Sequence, residues 1–130
     1  MTRLRPLFPL ALAVALGTCS GAEPAGPGWL DVRLVSPAAD DGGVLFVVRG
    51  APIDSVRSSF PDLYTDEVGA SEWRVIVLGN VSSTVVARLW VQDLDAVARY
   101  SATVEQIASG ITFAQRATAP YSMVVERAKP

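Results

Sequence analysis

Apolar and polar positions along this chain change over in short runs rather than in helical stripes. Trp29–Val35 places Leu30, Val32 and Leu34 on one face and Asp31 and Arg33 on the other. That two-residue period is the mark of a strand with one buried face. Val44–Val48 is apolar on both faces, as expected of a central strand covered on each side. Trp73–Leu78 and Thr84–Val91 read as further strands, Ile53–Ser58 as a short one with Ile53 and Val56 inward, and Tyr121–Val125 as the closing one. β-Branched and aromatic residues dominate all of them. Ser36–Gly43, Ala51-Pro52, Phe60-Pro61-Asp62 and Gly79-Asn80 punctuate the runs with turn residues. Short strands at this spacing predict an all-β fold, a single immunoglobulin-like antiparallel β-sandwich over residues 29–127.

Asp93–Gly110 carries two patterns. As a helix it has Asp93 as N-cap, Gly110 as stop, and Val97, Tyr100, Val104 and Ile107 at spacings of three and four. As a strand it has Tyr100, Ala102 and Val104 alternating with Ser101, Thr103 and Glu105, with Asp93–Ala98 a short helical turn before it. The surrounding strands favour the second, because several runs already need burial on both sides. Tyr100 and Ala102 also have the two-residue spacing of the tyrosine corner of immunoglobulin-type sandwiches; the plainer reading of Tyr100 is a core tyrosine.

The first nineteen residues have a different character. Arg3 and Arg5 precede the apolar run Leu7–Leu16, which is shorter than the roughly 20 residues a membrane-spanning helix needs. A charged start, a short apolar run and small residues predict an export signal over residues 1–18. Leu16-Gly17-Thr18-Cys19 has the aliphatic and small positions of a lipoprotein site, although Thr18 departs from the usual small residue before the cysteine. The competing cleavage falls after Ala22 and would release a soluble periplasmic or secreted protein. Cys19 is the one cysteine, so an exported product has no disulfide partner for it, and acylation would consume the thiol. Several acyl chains anchor stably where one does not. Residues 19–28, rich in glycine, proline and alanine, then read as a tether.

Composition narrows the chemistry. There is no histidine, which removes the common Ser-His and Cys-His nucleophiles and the usual zinc ligand sets. No phosphate-cradling glycine loop and no Gly-x-Ser-x-Gly elbow occurs. Without Arg3 and Arg5 the net charge is about −4, against the basic footprint that nucleic-acid binding needs. The expectation is a non-catalytic domain with no cofactor. Asp40-Asp41-Gly42-Gly43 could offer oxygen ligands to calcium but lacks the spaced acids of a calcium loop, so a solvated hairpin turn is the simpler reading. Asp62, Asp66 and Glu67 around Tyr64 read as an exposed acidic loop. Trp29, Trp73 and Trp90 are the candidate ligand-binding residues, able to stack on sugar rings if exposed in a row, and core residues otherwise.

In order and composition the strands Val32-Arg-Leu-Val35, Val44–Val48 and Trp73–Leu78, with the Asp-Gly turn and an apolar closing strand, resemble cohesin-like and carbohydrate-binding β-sandwich modules. The resemblance covers most of Trp29–Arg127. It implies an extracellular recognition role with a protein or polysaccharide as partner; together with the export signal and Cys19, the expectation is a bacterial envelope lipoprotein that reaches the membrane through its N-terminal lipid. The alternative is an accessory envelope subunit that assembles through a sheet edge.

Overall fold

The computed structural model describes residues 25–129. The export signal, Cys19 and most of the tether lie outside the described residues. Among the described residues nine strands form: β1 Gly28–Val35, β2 Asp41–Arg49, β3 Ser55–Arg57, β4 Asp62–Gly69, β5 Glu72–Leu78, β6 Val85–Val91, β7 Ser101–Ser109, β8 Gln115–Arg116 and β9 Ser122–Arg127. One short 3₁₀ helix, Leu94–Arg99, precedes β7. The strands make a four-stranded sheet ordered β3-β6-β1-β9 and a five-stranded sheet ordered β4-β5-β2-β7-β8. Every pairing is antiparallel. The two sheets pack face to face as an all-β sandwich.

The alternation seen in the sequence decides which face is buried. Leu30, Val32, Leu34 and Leu89 of the four-stranded sheet are fully enclosed, and so are Phe46 and Val75 of the other. Each such side chain contributes about 1.5–3 kcal/mol by leaving water. The strand reading of the ambiguous segment holds: Asp93 caps the short helix by accepting from the Asp95 N–H, and β7 begins at Ser101. Tyr100 is buried, and its hydroxyl donates to the Pro52 carbonyl at 2.6 Å. Its acceptor thus lies in the connection after β2 rather than in the corner just upstream. The same connection turns at Gly50, whose φ is +128° and whose position leaves a Cβ 1.7 Å from the Arg99 carbonyl oxygen. Only glycine fits a left-handed backbone pressed against another main chain.

Two readings change. Asp62–Gly69 is a strand, not a loop: β4 pairs along β5 from Asp62↔Leu78 to Gly69↔Glu72. Acidic residues lowered its strand propensity, but an edge strand needs only one partner and tolerates charge on its open side. Asp41 is the second. It is 1% exposed at the start of β2, not part of a solvated turn. The two-residue β8 has no apolar run to betray it.

Candidate functional site

One end of the outer face of the five-stranded sheet is apolar where an ordinary antiparallel sheet would be polar. Register carries Tyr64 of β4 opposite Ile76 of β5, and Ile76 opposite Leu45 of β2. One row along, Leu78 lies opposite Gly43, and Gly43 opposite Ala108 of β7. Tyr64, Ile76 and Leu78 are 57%, 38% and 41% exposed, so solvent meets a continuous apolar stripe. Gly43 leaves a hollow beside Leu78, of about 310 Å³, walled on its far side by Phe113. Arg74 and Glu105, 2.8 Å apart, close the other end of the stripe. Glu105 first, by hydrogen bond and by charge, raises the Arg74 pKa.

Phe113 belongs to the β7–β8 hairpin, whose tip presents Ile111 and Phe113 at 73% and 82% exposure. Phe113 also has a left-handed φ of +60°, a conformation costly for a residue with a Cβ. Strain on an exposed aromatic at a loop tip is a feature that packing alone would not retain. The tip is nevertheless tightly built. Ser109, 3% exposed, receives the Ile111 and Thr112 N–H groups on Oγ at 3.2 and 3.3 Å, and the Phe113 N–H on its carbonyl at 3.1 Å. The Gly110 N–H donates to the Asp40 carbonyl at 2.7 Å.

Beneath the tip lies a polar hub. Asp41 Oδ1 accepts from Arg116 Nη1 at 2.8 Å and from the Tyr121 hydroxyl at 2.7 Å, and its Oδ2 accepts from Ser82 Oγ at 3.0 Å. Arg116 also reaches Asp40. The hub joins the β1–β2 and β5–β6 connections to β8 and the segment before β9. Burial opposes the Asp41 charge, but hydrogen bonds from Tyr121, Ser36, Ser82 and Arg116 outweigh it and hold the pKa below the usual aspartate value. Tyr121 is pushed up, by burial first and then by its bond to Asp41. The guanidinium of Arg116, raised chiefly by Tyr121 and Asp40, supplies the positive charge that Asp40 and Asp41 would otherwise ask of a cation.

The three tryptophans do not form a row. Trp29 and Trp90 are register partners on the outer face of the four-stranded sheet, half-buried, with ring centroids 5.0 Å apart in an edge-to-face contact. Trp73 sits on the inner side of β5, packed against the core, and its Nε1–H is buried without a partner. Sequence reasoning missed both the hub and the apolar tip. Arg116 and Tyr121 lie 75 and 80 residues from Asp41, so the hub leaves no local pattern. Ile111 and Phe113 did leave one: two large apolar residues in a segment opened by Gly110 that continues no strand period.

No family model matches the chain, no curated protein matches it, and no solved structure matches it.

Proposed function

We propose that the chain is an exported, lipid-anchored cell-envelope protein whose β-sandwich is a non-catalytic recognition module, and that it binds a protein partner through the apolar outer face ending in Ile111 and Phe113. Phe113 carries the reading: a large aromatic, 82% exposed, held in a left-handed conformation above a rigid hub. Exposed apolar patches larger than a few hundred Å² mark interaction surfaces, and aromatic anchors dominate the energy of such interfaces. β1 runs from Gly28 toward the 36–40 connection that holds the tip through Asp40. The tip therefore stands about 25 Å, a strand length, from the point where the tether joins.

A photo-crosslinking phenylalanine analogue placed at residue 113 in cells tests the face. A discrete protein adduct, absent when the analogue stands at Arg99, is expected; no adduct, or the same adducts from both positions, overturns the reading. The anchor has a separate test. A fatty-acid probe should label the wild type and not Cys19→Ser, and equal labelling or none refutes the lipid.

Assembly through a sheet edge is favoured by one observation, the open side of β4 over Asp62–Gly69. Asp62, Asp66 and Glu67, with the register irregularity between Glu67 and Gly69, oppose pairing of that edge with a copy of itself.

A further inference from the structure

The outer face of the four-stranded sheet has a different chemistry. One register row crosses all four strands: Arg57 opposite Arg88, Arg88 opposite Asp31, and Asp31 opposite Glu126. Two cations stand together at the β3 end and two carboxylates together toward β9. Like charges directly opposite one another are destabilising in a sheet, so this arrangement costs stability. Neighbouring pairs relieve only part of it. Glu126 is 3.4 Å from Arg33, and Asp31 Oδ1 is 3.0 Å from Arg88 Nε. That last contact is angled so that Asp31 Oδ1 accepts no hydrogen bond. Arg57 has no carboxylate within 4.0 Å among the described residues. Its guanidinium instead lies 5.7 Å from the centroid of the Trp29 ring, a cation–π arrangement that fixes the plane and leaves the fork of N–H donors unspent.

A cleft of about 390 Å³ opens beside the two arginines, lined by Arg57, Ser58, Ser59, Val85, Ala87 and Arg88. It exists because β3 ends at Arg57 while β6 continues to Val85 without a strand partner on that side. The Ser58 hydroxyl is committed, donating to the Val86 carbonyl and accepting from the Phe60 N–H. Ser59 is exposed at the rim. The next row of the same face holds Ser55, Trp90 and Trp29. Asp54, just beyond Ser55, is hydrogen-bonded by Gln92.

We infer that Arg57 and Arg88, beside the Trp29–Trp90 pair, form a binding site for an acidic saccharide. Arg57, with its donors unspent, takes a carboxylate, sulfate or phosphate group of the sugar by charge-assisted hydrogen bonds, Arg88 adds the charge it shares with Asp31, and the part of the half-buried indole pair that Arg57 leaves uncovered offers an apolar surface to the ring. An oxyanion there also offsets the like-charge pair, which no group of this face does for Arg57. The site is on the opposite sheet from the Ile111–Phe113 face, so its failure leaves the protein-partner reading untouched.

Titration of the protein's tryptophan fluorescence with polygalacturonate, dextran sulfate, neutral dextran, poly-glutamate and phosphatidylglycerol vesicles tests the inference. Saturable binding of at least one acidic polysaccharide is expected, with none for neutral dextran, and weakening as ionic strength rises and screens the arginines. Arg57→Gln should reduce that affinity about tenfold or more, as expected for a lost charge-assisted contact, while leaving the melting temperature within a few degrees, because relief of the like-charge pair is set against loss of the cation–π contact with Trp29. Arg99→Gln removes the same charge elsewhere and should bind as wild type. Equal binding by wild type and Arg57→Gln overturns the site. So does binding of neutral dextran as strong as that of the acidic polymers, binding confined to vesicles or to poly-glutamate, or no binding at all.

Discussion

Replacing Tyr121 by Phe removes one oxygen and little else. The lost hydroxyl donates to Asp41 Oδ1 at 2.7 Å, with Tyr121 9% and Asp41 1% exposed. No solvent stands ready to replace it. A hydrogen bond to a charged group contributes about 1.5–3 kcal/mol, so Tyr121→Phe should lose that much at pH 7. For a domain of about 100 residues this lowers the melting temperature by about 6–24 °C. The effect should depend on pH in a definite direction. The folded-state pKa of Asp41 lies below its ordinary value of 3.8. Its carboxylate therefore stabilises fully above 3.8, and that contribution disappears as pH falls through the lower folded value. Once Asp41 is protonated, the Tyr121 bond is a neutral one of about 0.5–1.5 kcal/mol, and the gap between wild type and variant narrows. Urea denaturation followed by tryptophan fluorescence, across a pH series, measures both quantities. A deficit below about 0.5 kcal/mol at neutral pH, or one that stays constant through the acid range, refutes the account of the hub.

Phe113→Asn should leave stability within about 1 kcal/mol, because release of left-handed strain offsets the little surface that Phe113 buries; Phe46→Ala, in the enclosed core, should cost about 3–5 kcal/mol in the same assay. Gly50→Ala should prevent folding or lower the melting temperature sharply, since its Cβ would stand 1.7 Å from the Arg99 carbonyl oxygen at a φ closed to alanine; normal thermal unfolding would contradict this. Trp73→Phe should change stability by less than about 1 kcal/mol in chemical denaturation, because the lost packing is set against removal of a buried, unpaired Nε1–H.

What could be read in advance was whatever one strand writes by itself. Trp29–Val35, Val44–Val48 and Trp73–Leu78 each carry their burial in a local period, and each is a strand with the expected face inward. β4 was illegible because an edge strand is half solvated: Asp62, Asp66 and Glu67 look the same on an open edge as in a loop. The apolar outer face is a property of register, visible only when Tyr64, Ile76 and Leu45 are set side by side. The Arg57–Arg88 pair is hidden for the same reason. Asp41 misled because its neighbours Asp40, Gly42 and Gly43 spell a turn, while the residues that bury and bind its carboxylate arrive from Ser82, Arg116 and Tyr121.

The place of β1 has a mechanical consequence. It lies between β6 and β9, antiparallel to both. The chain enters it at Gly28, at the end of the sandwich away from the Ile111–Phe113 tip. Tension applied between Gly28 and that tip acts along the strand axes, and the ladder hydrogen bonds stand across them. The load is then shear, shared by the rungs on both flanks of β1, rather than a peeling force that opens them one after another. A sandwich held in this way yields abruptly and at high force, whereas the same fold pulled sideways at β4 would unzip rung by rung.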